Sequence, residues 1–373
     1  MIVIQRIIKA SLLSFFWSLG LVSILQSAEV EDGILSRSVF LYPRNADQIN
    51  GYDLEALGKP LELIYWAIGF RCNGEQVLVY PKSCNPQDIP QPESLLINAV
   101  TNIRRLFERF PHSEGYRHTW MIDTCLVNHA ELIKEGNLDP RFRDLSPKLI
   151  NDVIHQINIL IQSSGCSPQA IALDIEPICD YTGANSLLGF HADLVARINA
   201  QLSLPLPVAV HLSCSKICDW LCVVPTSNEF AKNEFLQLRE VIERFPGNHF
   251  LIDAFCHGGS CEHQATGGPC TTINGREEES CEWQHFTSQK KLGIVSQYFK
   301  ENNVPFKLEI SISGSSSGGI VPEGWSIENF IKSISRIRKV ITPSYGVALF
   351  GVGGEPGRTG NLQQIANALD GLN

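Results

Sequence analysis

The string Ala170-Ile171-Ala172-Leu173-Asp174-Ile175-Glu176-Pro177 sets two carboxylates one pleat apart. Side chains of an extended chain alternate between faces, so Asp174 and Glu176 share one face with the small Ala170 and Ala172. Leu173 and Ile175 take the opposite face. Pro177 stops the strand, which leaves both acids at its carboxyl end. Two acids this close in a partly dry cleft cannot both ionise freely, and one should keep its proton at neutral pH. A retained proton is what a general acid needs in order to protonate a leaving oxygen. The bland use of such a pair is to cap the next helix or hold an arginine. Strand parity and the flanking alanines favour chemistry.

Further candidates lie on other strands. Leu251-Ile252-Asp253-Ala254-Phe255 offers an acid and an aromatic, and His211, after Ala209-Val210, could reach the same site. Phe306 to Ser313 alternates, with Lys307, Glu309, Ser311 and Ser313 on one face and Leu308, Ile310 and Ile312 on the other. Glu309 could serve as a nucleophile, but four residues at about 3.3 Å each place it some 13 Å below the strand end. It is read as a buried partner of Lys307 or of a neighbouring Arg or Lys, behind Asp253 in rank. Trp66, Trp120, Trp220 and Trp283 could supply flat stacking faces, although burial is the commoner fate of Trp. Two glycine-rich segments, Ser313 to Gly319 and Gly351 to Gly357, could cradle a phosphate, but tight turns also need glycine and Glu355 would repel an anion. No G-x-S-x-G elbow, H-E-x-x-H pair or P-loop is present.

The acids need a scaffold, and short apolar runs alternate with segments of helical period. Strands are predicted at Ser38–Tyr42, Leu61–Gly69, His118–Cys125, Ala170–Glu176, Pro207–Ser213, His249–Phe255, Phe306–Ser313 and Tyr345–Val352. Helices are predicted at Glu93–Phe110, Ser146–Gln162, Ala184–Gln201, Asn233–Phe245, Phe286–Lys300, Ser326–Lys339 and Asn361–Leu369. Eight strands alternating with helices favour a closed (β/α)8 TIM barrel over an open doubly wound sheet, which would carry G-x-G-x-x-G after its first strand. In such a barrel the fourth strand delivers Asp174 and Glu176 to the mouth. The first unit is the weak one, because Asp53–Leu57 is short for a crossover helix. Two insertions should rise over the mouth: residues 71–92, a hairpin through Asn73-Gly74, and residues 256–283, rich in cysteine.

Of 373 residues, 30 are Lys or Arg and 39 are Asp or Glu, and no basic run stands out, which sets nucleic acid aside. Residues 1–28 read as an export signal: Arg6 and Lys9, an apolar run from Ala10 to Leu25, then Gln26-Ser27-Ala28. Uncleaved, that segment would be the one membrane contact, and either way residues 29–373 form a single exported barrel, periplasmic, envelope-bound or secreted. Twelve cysteines in an exported chain read by default as disulfides, giving disulfide-rich loop insertions. Cys256, Cys261, Cys270 and Cys281 with nearby histidines could be drawn as a zinc site, but their spacings lack the short C-x2-C pairs of zinc motifs. No metal and no cofactor is expected. Spacing sets neither the disulfide pairing nor the oligomeric state.

On the fourth strand the chain resembles glycoside hydrolase family 18, the chitinases and related N-acetylglucosaminidases, whose members carry D-x-x-D-x-D-x-E there. Asp174 and Glu176 fit the last half of that motif, while Gln169 and Ala172 occupy its first two acid positions. Leu63 to Phe70 with Asn73-Gly74, Lys307 to Gly314 and Gly346 to Glu355 resemble the family's second, seventh and eighth strands. Met121-Ile122-Asp123-Thr124 stands in place of its Ser-x-Gly-Gly, Asp253 lacks the family's preceding Tyr, and Phe350 replaces a Trp that floors the sugar site. The resemblance implies Glu176 as acid/base, Asp174 as the group orienting a substrate N-acetyl neighbour that attacks its own anomeric carbon, and Asp253 as a supporting acid. Phe255, Phe350, Trp66 and His211 then become substrate contacts on a carbohydrate partner. The departures keep two other readings open: a barrel that binds sugars or serves as a disulfide-rich envelope protein without catalysis, and a phosphate-ligand barrel enzyme.

Overall fold

In the computed structural model the residues described are 36–41, 49–73, 76–82, 92–127, 133–134, 137–138, 140–175, 188–201, 205–213, 229–253, 289–311, 345–350 and 362–370. The chain parts into two units, Met1–Leu35 and Ser36–Asn373, and every described residue belongs to the second.

The strands are β1 (Ser36–Phe40), β2 (Leu61–Asn73), β3 (Gln76–Pro81), β4 (Tyr116–Val127), β5 (Ile133–Lys134), β6 (Asn137–Leu138), β7 (Ala170–Asp174), β8 (Val208–Ser213), β9 (His249–Asp253), β10 (Phe306–Ser311) and β11 (Gly346–Phe350). Eight of them pair in parallel in the order β1-β2-β4-β7-β8-β9-β10-β11, and β11 pairs back to β1. The sheet is therefore a closed (β/α)8 barrel, and all eight predicted strands are in it, with β7 as the fourth. β3 lies antiparallel on β2, with Asn73 opposite Gln76, as a hairpin turning through Asn73-Gly74 requires. The small β5–β6 hairpin carries no alternating apolar signal and was not expected.

Strand parity divides the interior into two cores. Outward residues such as Val39, Leu63, Trp120, Ile171, Leu173, Ile175, Val210, Ile252, Leu308 and Leu349 pack with the helices in one large apolar cluster. Inward residues Phe40, Ile64, Met121, Ala172, Ala209, Leu251 and Ala348 form a separate layer inside the ring. Alternation of this kind is how barrel strands fill a hollow with side chains while still presenting an apolar outer wall. Trp120 is completely buried in that wall and donates its indole N–H to the Tyr65 hydroxyl at 3.0 Å, so it is no sugar-stacking face.

The helices are α1 (Pro92–Arg109), α2 (Pro140–Ser164), α3 (Leu188–Gln201), α4 (Glu229–Arg244), α5 (Gln289–Glu301) and α6 (Leu362–Asp370). α1 buries the expected stripe of Ala99, Ile103 and Leu106, with Leu96 at its margin. α2 begins six residues before the predicted start at Ser146 and contains Pro147. Ser-Pro has the chemistry of a helix start, but the helix continues through it. At the other end Gly165 takes φ +70°, a left-handed conformation suited to glycine, and Arg104 of α1 donates to the Ser163 and Ser164 carbonyls. Among its described residues the first crossover carries helical residues 49–50 and a 3-10 turn, Glu55–Leu57. The predicted helix Ser326–Lys339 and the insertion 256–283 lie outside the described residues.

Candidate active site at the carboxyl end of the barrel

Parallel strands share one carboxyl end, and Asp174 is the last residue of β7 there. It stands in register with Asp123 of β4 on one side and His211 of β8 on the other. Both carboxylate oxygens are engaged. Trp66 Nε1 donates to Oδ2 at 3.2 Å, and His211 Nδ1 lies 3.1 Å from Oδ1. The ring continues the chain, with Nε2 3.1 Å from Glu309 Oε2. These side chains are withdrawn from solvent: 4% exposed for His211, 6% for Asp174 and 1% for Glu309.

Burial alone would strip the charge from His211. The carboxylates at its two nitrogens outweigh that, with the Glu309 charge the larger contribution, and hold the imidazole well above its ordinary basicity. It is therefore an imidazolium at neutral pH, hydrogen-bonded to Asp174 through Nδ1 and paired in charge with Glu309 at Nε2. Beside this chain, Lys82, just past β3, forms an ion pair with Asp123 and lies 5.7 Å from the centroid of the Trp66 ring. Gly69 makes room for that approach. A Cβ there would come within 2.9 Å of the Tyr80 ring and 3.2 Å of the Lys82 stem.

One layer deeper lies a second polar cluster. Lys307 Nζ sits 2.5 Å from Glu62 Oε2 and 2.6 Å from Ser38 Oγ, while the Ser38 and Thr119 hydroxyls each donate to Glu62 at 2.5 Å. Burial would raise the Glu62 carboxyl, but the Lys307 charge and these donors hold it well below the usual carboxylate range. On β2 and β4, Ile64 and Met121 occupy the inward positions between this cluster and the mouth.

The structure thus joins three residues picked from sequence, Asp174, His211 and Trp66. The described hydrogen bonds of His211 and Trp66 run to Asp174, and His211 forms an ion pair with Glu309. Glu309 departs from expectation: Lys307 reaches across to Glu62, and Glu309 pairs with His211 instead. Glu309 and Asp253 stand in register on neighbouring strands, one pleat from the last residue of β10. Asp253 ends β9 in register with Glu309, and Phe350 ends β11 in register with Ser311. Glu176 and Phe255 lie outside the described residues, as do both glycine-rich segments and the Cys256–Cys281 loop. Sequence reasoning missed Asp123 and Lys82, although Asp123 follows Thr119 and Met121 on the inward face. Among the described residues no group of three or more His, Cys, Asp or Glu side chains is arranged to hold a metal ion.

No protein-family model matches the sequence, and no curated protein matches it. The chain is similar in fold to solved family 18 chitinases. One from Chromobacterium violaceum is 10% identical, with 90% of this chain and 82% of that one covered at a TM-score of 0.47. The Ostrinia furnacalis Group IV chitinase in complex with allosamidin is 10% identical, with 91% and 98% covered and a TM-score of 0.49. A Cycas revoluta chitinase variant in complex with (GlcNAc)4 is 12% identical, with 89% and 98% covered and a TM-score of 0.47.

Proposed function

We propose that this protein is an exported glycoside hydrolase cleaving an amino-sugar glycan of the N-acetylglucosamine type, with Glu176 as general acid/base and Asp174 assisting. The observation that carries the reading is the placement of Asp174: inward, at the carboxyl end of the fourth strand of a closed barrel, with each oxygen held by a separate donor. Ile175 is buried in the outer core, and an extended chain would by alternation turn position 176 back toward the hollow. A carboxylic acid there would protonate the glycosidic oxygen as the bond to the anomeric carbon breaks. Asp174, oriented by Trp66 and His211, would align the substrate's acetamido group so that its carbonyl oxygen attacks that carbon. Asp253 would support the pair, and Phe255 and Phe350 would offer apolar faces to the sugar rings.

The distinguishing experiment offers the purified protein N-acetylated and de-N-acetylated oligosaccharides of equal length and follows fresh product by proton NMR. Cleavage confined to the N-acetylated chain, with the anomeric configuration retained, is expected. Equal cleavage of both would remove the assisting role from the acetamido group. No turnover on any glycan would favour a barrel that binds sugars without cleaving them, a reading supported by Ala172, which belongs to the inner apolar layer where the resembled motif has an acid.

A further inference from the structure

The inner face of the barrel carries a chain of charge that the proposed reaction does not by itself require. His211 on β8 and Glu309 on β10 are not on adjacent strands, since β9 runs between them. The residue of β9 in register with His211 is Leu251, which offers the imidazole no polar partner, so the ring spans from Asp174 to Glu309. The inward positions around this span are small: Ala172 and Ala209 one pleat before Asp174 and His211, and Ala348 in register with Glu309.

We infer that His211, braced by Glu309, is a positioning residue that fixes the rotamer of Asp174 between the imidazole and the Trp66 indole. The inference rests on the reading of Asp174 as an acting group. A neutral imidazole donates from one nitrogen only, and would leave one of two buried carboxylates without its proton. With the ring charged, it cannot turn without breaking the hydrogen bond to Asp174 at one end and parting the ion pair with Glu309 at the other. Glu309 therefore acts on Asp174 at one remove: it holds the ring that holds the carboxylate. Among the described residues the charged groups facing His211 are Asp174 of β7 and Glu309 of β10.

The test uses full-length protein labelled with 15N-histidine, the His211 signals assigned through His211→Asn, together with kinetics on an N-acetylated oligosaccharide. In the wild type both His211 ring nitrogens should show imidazolium shifts that stay constant from pH 5 to pH 8. Glu309→Gln should restore an ordinary imidazole titration and lower kcat about 10- to 100-fold, with KM changed less than about twofold, as expected for losing one charge-assisted bond behind the acting group. Glu309→Asp, which keeps the charge, should recover part of kcat. A neutral His211 in the wild-type spectrum overturns the inference without need of any variant, as does Glu309→Gln with unchanged kcat. Wild type without glycan turnover would overturn the hydrolase reading and the positioning role with it. An imidazolium spectrum in that same sample would locate the failure in the chemistry and not in the bridge.

Discussion

Replacing Lys307 by Met tests whether the barrel floor is organised by one buried ion pair. The lysine is 2% exposed and Glu62 10%, with 2.5 Å between the charged atoms. Met keeps the apolar stem and removes the ammonium, leaving Glu62 with two hydroxyl donors and the buried His249 ring nearby in place of a fixed cation. Breaking a buried pair from one side costs about 3–5 kcal/mol, a large part of the roughly 5–15 kcal/mol that holds a domain folded. The sign with pH is specific. In the wild type the Glu62 carboxyl lies below its unfolded value, so its contribution is present above that value and lost as pH falls. In Lys307→Met burial dominates and the carboxyl rises, so the variant's deficit against wild type should narrow as pH drops from 7 to 5. Adding Glu62→Gln removes the stranded charge and should recover about 2 kcal/mol at pH 7, leaving a deficit against wild type that changes little with pH. Urea unfolding followed by far-UV circular dichroism measures all four proteins at both pH values. A single variant within about 1 kcal/mol of wild type at pH 7, or a double variant whose losses simply add, would refute the reasoning.

Other outcomes follow from the same structure. His118 and His249 are both held at about 4, chiefly by burial and for His249 also by the Lys307 charge. Between pH 6.5 and about 4 the unfolded chain therefore binds protons that the folded one does not, and stability should fall by about 3 kcal/mol per histidine over that window. Urea midpoints from pH 7 to pH 4 should show a slope that His249→Gln reduces by about half; an unchanged slope would contradict the assignment. Trp66→Phe keeps the ring but deletes the donor to Asp174, and should lower kcat about tenfold on a glycan substrate, whereas unchanged kcat would make that hydrogen bond idle. Cys166 is a free thiol whose burial raises its pKa, so iodoacetamide should modify it slowly in the native protein and rapidly in urea, as peptide mass mapping would show.

Much of the barrel could be read from side-chain parity. Leu173 and Ile175 against Ala172 and Asp174 is a pattern one strand writes by itself, and both faces lie where alternation puts them. The same alternation put Lys307 and Glu309 inward. It could not say which partner each would meet, because Lys307 reaches Ser38 and Glu62 only after β11 closes onto β1. The His211–Glu309 contact likewise joins strands two apart, across 98 positions of sequence that carry no mark of it. Asp123 was passed over because its meaning depends on register with Asp174 and on Lys82 arriving from the hairpin. Helix α2 ran past its predicted start because Ser146-Pro147 has cap chemistry in a place where the helix continues.

The proton donor assigned to position 176 is tested most directly by one rate comparison: kcat of the wild type and of Glu176→Gln on an aryl glycoside of an N-acetylglucosamine oligomer. The account predicts a loss of about two to four orders of magnitude with the substrate still bound. Equal rates for the two proteins would contradict it.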